Sequence, residues 1–89
     1  MKRNPNFLLR SVADTLVLVP VGQATDGFAG MVTLNSTSAF LWELLETEQT
    51  IQSLTEALLN RYDVAEAKAR ADAEAFLAAL MPTGAILEA

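Results

Sequence analysis

The spacing of apolar positions changes once along the chain. From Phe7 to Val12, and again from Thr15 to Val21, it favours extended structure, and the intervening Ala13-Asp14 predicts a tight turn between two antiparallel strands. Leu16-Val17-Leu18-Val19 is apolar without a break, which predicts a strand that is central or covered on both faces, with Pro20 marking its end or an edge position. Turn formers gather from Gly22 to Gly30 and predict a loop, after which Met31 to Leu34 reads as a third short strand. Beyond Asn35, whose side chain can cap a helix, the period becomes 3.6.

Three helices follow from that period. Phe40, Leu41, Leu44 and Leu45, with Ala39 and Trp42 beside them, give one broad apolar face and a helix over 36–45. Thr50 is a natural N-cap for a second helix over 51–62, carrying Ile51, Leu54, Leu58 and Tyr62 on one side. Asp63, three residues before Glu66, has the spacing of a capping box, and Ala69, Ala73, Phe76, Leu77 and Leu80 continue as the stripe of a third helix over 65–81, stopped by Pro82 and Gly84. The apolar tail Ala85-Ile86-Leu87 is expected to fold back onto the body. Residues 1–89 thus form a single α+β domain, a three-stranded antiparallel sheet followed by three helices, in the order of a winged helix-turn-helix.

Composition narrows the chemistry. With 89 residues, 52% of them hydrophobic and 19% charged, the chain has enough apolar surface to fold as one small domain. It has no Cys and no His, which removes thiol nucleophiles, Ser-His-Asp relays, disulfides and Cys or His metal cages. No cofactor and no metal are expected. The net charge of −5 is the wrong sign for a nucleic-acid binder. Lys2 and Arg3 precede Phe7-Leu8-Leu9, but Arg10 and Asp14 interrupt any signal-peptide core and no apolar run reaches the length of a membrane span, so a cytoplasmic location is expected.

Candidate catalytic groups have plainer explanations. Glu43 and Glu46 are i, i+3 and lack a basic partner nearby in sequence, as on a solvated helix surface. Asp72 is four residues from Lys68, the spacing of a surface ion pair. A Ser-Lys dyad would need Lys2 or Lys68 beside a serine, whereas Ser36 and Ser38 belong to the first turn of a helix. An acyl carrier domain would be nearly all helix with an attachment serine at a helix start, and three strands precede Asn35-Ser36-Thr37-Ser38 here. The helix-turn-helix order would place helix three in a DNA groove, but Asp63, Glu66, Asp72 and Glu74 outnumber Lys68 and Arg70 along it. The chain is therefore expected not to be an enzyme.

Surface for another polypeptide remains. If Met31 to Leu34 is an edge strand, its unpaired backbone groups are a template for an added strand, with helix three as the other wall of a groove. Helix three then offers an Ala69, Asp72 and Phe76 side, where the small Ala69 and Ala73 would let a guest approach closely. Leu34, Leu77 and Leu80 are read as core, while Phe76 and Met31 are left open between core and groove.

These features together resemble the PqqD-like family, the peptide-binding domains also called recognition elements for the precursors of ribosomally made, modified peptides. The resemblance spans nearly the whole chain and rests on Val19-Pro20-Val21-Gly22, Phe28-Ala29-Gly30-Met31 leading into Leu34-Asn35, Phe40-Leu41-Trp42-Glu43-Leu44-Leu45, Thr50 followed by Leu54, Tyr62-Asp63-Val64, and Asp72 followed by Phe76-Leu77 and Leu80. It implies a non-catalytic winged helix-turn-helix domain that captures the leader of a precursor peptide as an antiparallel strand against strand three and helix three. The matching positions are Met31, Val32, Thr33, Leu34, Ala69, Asp72, Ala73 and Phe76, with Ala73 standing where a larger aliphatic residue is common. The implied partners are the leader and a modifying enzyme such as a radical S-adenosylmethionine protein, a cyclodehydratase or a leader peptidase. The Leu-Asn and Phe-Leu-Trp segments look more like the broader group than the members tied to pyrroloquinoline quinone, so that cofactor is not assigned. The net charge would favour a leader with basic residues. The competing reading is an accessory or regulatory subunit that binds a folded enzyme, or self-associates as a homodimer, without a peptide.

Overall fold

The computed structural model describes residues 1–22 and 32–88. The strands are β1 (Lys2–Arg3), β2 (Phe7–Val12), β3 (Thr15–Pro20), β4 (Val32–Leu34) and β5 (Ile86–Leu87), and the helices α1 (Ser36–Leu44), α2 (Ile51–Arg61) and α3 (Glu66–Leu80), with a 3₁₀ turn at Met81–Thr83. The expected order of three antiparallel strands and three helices is present, with sheet order β2-β3-β4. The predicted loop beyond Gly22, and Met31 with it, lie outside the described residues.

The hairpin forms where the pattern placed it: Val12 pairs with Thr15 across Ala13-Asp14, and Ala13 takes a positive φ of 55°. β3 is central, and its neighbouring Val17 and Leu18, which point to opposite faces, are both buried. Phe7, Leu18 and Leu34 on one sheet face meet Leu41, Trp42 and Leu45 of the α1 region, Leu54 and Leu58 of α2, and Phe76, Leu77 and Leu80 of α3. Phe40 and Tyr62 add an edge-to-face contact at 5.9 Å between the α1 and α2 segments.

Local signals set the helix ends. The Asn35 carboxamide oxygen accepts the Ser38 N–H at 2.8 Å, and Thr50 forms a reciprocal capping box with Ser53, whose hydroxyl accepts the Thr50 N–H at 2.8 Å. Gly84 closes the 3₁₀ turn with a left-handed φ of 83°, which glycine adopts without a Cβ penalty. The capping box expected from Asp63 and Glu66 is not formed: the extended residue before α3 is Ala65, no side chain caps that end, and Asp63 lies two residues upstream of the cap position.

A strand that the apolar pattern did not predict precedes the hairpin. This strand, β1, pairs antiparallel with β5, Lys2 opposite Leu87 and Arg3 opposite Ile86. The folded-back tail thus becomes a strand, burying Ala85 and Ile86. Arg3 and Asn4 tie this small sheet in place through N–H donations to the Leu45 and Ala85 carbonyls at 2.9 and 2.8 Å.

Candidate functional site

The ladder decides which backbone groups of β4 are available. The two-residue turn makes Val12 and Thr15 a hydrogen-bonded pair, so alternation leaves Leu16 and Leu18 bonding away from β2, toward Leu34 and Val32 of β4. Thr33, opposite Val17, is then the residue whose N–H and C=O point to the outer edge. That edge opens onto a cleft of about 300 Å³ between β4 and α3. Val32, Thr33 and Leu34, then Asn35, Thr37 and Ser38, form one wall, and Lys68, Asp72, Ala75, Phe76, Ala79 and Leu80 the other.

Most of the residues singled out in the sequence meet here. Val32 is half-buried, Thr33 exposed and Leu34 buried along the strand wall, while Asp72 is half-buried on the helix wall. Phe76, left open between core and groove, serves both: it is only 5% exposed and belongs to the core, yet borders the cleft. Ala69 and Ala73 require a correction. Both are 0% exposed within the core and stand beneath the cleft rather than in its wall. Their smallness lets α3 lie close against its neighbours.

The alanines that face the cleft are Ala75 and Ala79, both exposed. The signal that could have found them is the helical stripe continued from Lys68 and Asp72, which at steps of four, three and four reaches Ala75 and Ala79. Lys68 Nζ donates to both Asp72 carboxylate oxygens, at 2.8 and 3.0 Å, so charge is concentrated at one end of the helix wall and small apolar surface at the other. Arg70 pairs likewise with Glu74 at 3.9 Å, which leaves no unpaired cation on α3.

The cleft is suited to binding. Among the described residues it combines a strand edge with no further partner strand, a trough over two alanines and an apolar floor at Phe76 and Leu80. Among the described residues no group of three carboxylates is arranged to hold a metal ion, and no helix is long and apolar enough to cross a membrane. The carboxylates Glu43 and Glu46 lie apart from this cleft, and the partner of Glu43 comes from the far end of the sequence, where Arg3 Nη1 approaches it at 3.8 Å and the guanidinium stacks 5.8 Å from the Trp42 ring.

Two solved structures share the fold. One is described as TbiB1 in complex with the TbiA(beta) leader peptide, with 21% identity, a TM-score of 0.72, and coverage of 96% of this chain and 93% of that one. The other is a lasso peptide synthetase B1 complexed with the leader peptide, also at 21% identity and a TM-score of 0.72, covering 98% of this chain and 96% of that one. No curated protein sequence matches the chain. The family model described as coenzyme PQQ synthesis protein D (PqqD) matches residues 15–86, from the start of β3 into β5, and the chain belongs to that family.

Proposed function

We propose that this protein captures the leader segment of a ribosomally made precursor peptide by adding it as a strand along β4, and presents it to a separate modifying enzyme. The observation that carries this reading is the outward N–H and C=O of Thr33 beside a cleft whose other wall is α3. Backbone pairing at Thr33 supplies affinity that is indifferent to sequence. Alternate leader side chains enter the cleft over Ala75, Ala79 and Phe76 and supply selectivity. Two relatives of the same fold are described as complexes with leader peptides, which supports a peptide as the guest. The protein's part in modification is to raise the effective concentration of the precursor at the enzyme, with no bond made or broken on this chain.

Peptide binding is the favoured reading over a subunit that works without a ligand because the β4 edge, unpaired among the described residues, adjoins a cleft and not a flat apolar face. Thr33→Pro tests it. The substitution removes an N–H that no β-ladder bond uses and sets a ring against the incoming strand, so the fold persists while leader affinity measured by calorimetry falls at least about tenfold. Unchanged affinity with native circular dichroism contradicts the reading.

A further inference from the structure

The opposite edge of the same sheet has a cleft of its own. It is the larger of the two, about 530 Å³, and runs between β2 and α1, with Leu9 and Arg10 on the strand side and Glu43 and Glu46 on the helix side. By the alternation that exposes Thr33, Leu9 and Ser11 direct their N–H and C=O groups outward from β2. At Phe7 the edge is closed, because its N–H donates to the Asn4 carbonyl at 3.0 Å.

The Leu9 carbonyl is covered for now. Arg10 folds back along the edge and its Nη1 donates to that oxygen at 3.2 Å. A strand can add only if the guanidinium moves away, and a carboxylate on the incoming strand gives it a new partner. Lys2, in the same cleft, is also a cation with no carboxylate at ion-pair distance among the described residues, whereas Arg3, Lys68 and Arg70 are each paired. In a protein of net charge −5, two of the three cations without a carboxylate partner among the described residues, Lys2 and Arg10, thus share one cleft, while the third, Arg61, lies over the Phe40 and Tyr62 rings at 5.8 and 5.9 Å.

From this we infer that the β2 edge accepts an extended segment of a second protein in which acidic and apolar residues alternate. Its acidic face stands beside Arg10, and its apolar face enters the cleft beside Leu9, Phe7 and Trp42, where Glu43 is already paired with Arg3. A second copy of this chain fits poorly, since pairing two β2 edges brings Arg10 close to its own symmetry mate. With the leader on β4 and this segment on β2, both guests extend one sheet to five strands, separated by the three strands of the protein. We assign that second protein to the modifying enzyme, a step that rests on the proposed leader-capture function; the edge itself does not.

The test uses a seven-residue peptide, acetylated and amidated at its ends, that alternates valine with glutamate, and a second in which lysine replaces glutamate. Isotope-edited NMR of the whole chain reads Leu9 and Ser11 separately from Thr33. The inference expects saturable shifts at Leu9 and Ser11 with the glutamate peptide, at least about threefold tighter than with the lysine peptide. In Arg10→Glu, folded by circular dichroism, the preference reverses. Absence of saturable shifts at Leu9 and Ser11, equal affinity for the two peptides, or shifts confined to Thr33 would each overturn it. Loss of leader binding at Thr33 in a separate titration would remove the enzyme assignment while leaving the β2 result standing.

Discussion

Val17 and Thr33 face each other across the β3 and β4 ladder as a pair that exchanges no hydrogen bonds. Val17 is committed to β2 on its other side, through Arg10, so Thr33 turns both of its backbone groups outward. A three-residue strand thereby presents one complete donor and acceptor site to a guest. The register that produces it is set some twenty residues earlier, by the two-residue turn at Ala13-Asp14.

Two alanines six residues apart on α3, one buried and one exposed, should respond in opposite ways to the same enlargement. Ala79→Leu fills the trough of the β4 cleft from an exposed position, and is expected to weaken leader binding at least about tenfold with stability nearly unchanged. Ala73→Leu overpacks a fully buried position and should cost about 1–3 kcal/mol of stability. Denaturant titrations and calorimetry on the two variants separate the effects. Intact binding by Ala79→Leu would show that a guest does not use the trough.

The two helix caps make an additive pair. Asn35→Ala and Thr50→Ala each remove a side-chain acceptor from a helix N-terminus and should each lower stability by about 1 kcal/mol. Because they cap different helices, the double variant should show the sum to within about 0.5 kcal/mol in urea unfolding. Asn35 also borders the cleft, so its loss should weaken the leader complex more than the loss of Thr50 does.

Ala13 is the one non-glycine residue with positive φ among those described, at 55°. The left-handed region disfavours a Cβ, and Ala13→Gly should raise the thermal midpoint by relieving a cost of about 1 kcal/mol, partly offset by the greater freedom of glycine in the unfolded chain. A lowered midpoint in a thermal scan would contradict the turn geometry.

Much of this architecture was legible because its determinants are local. Asn35, Thr50 and the Lys68 and Asp72 pair act over three or four residues, and the unbroken Leu16 to Val19 run pointed to the central strand that β3 is. The pairing of β1 with β5 was not legible, since two-residue strands at opposite ends of a chain carry no period. The union of Arg3 with Trp42 and Glu43 was hidden for the same reason. Within the candidate site, the strand wall was readable and the helix wall only in part. The segment from Ala65 to Ala79 is so rich in alanine that its buried and exposed faces differ little in polarity. Choosing alanines for their size selected Ala69 and Ala73, which are enclosed, whereas stepping from the charged Asp72 along its own face leads to Ala75 and Ala79. Asp63 shows the converse error, a cap-like spacing that the chain enters two residues too early to use.

The most direct test of leader capture is hydrogen exchange at the Thr33 amide, measured by NMR with and without the leader peptide of the precursor that this protein serves. In the free protein no ladder bond among the described residues protects that N–H, and it should exchange far faster than those of Val32 and Leu34. Strand addition predicts that saturating leader slows Thr33 exchange by at least about tenfold, with shifts along the α3 face from Asp72 to Ala79. A leader that binds while Thr33 continues to exchange as in the free protein would contradict the account.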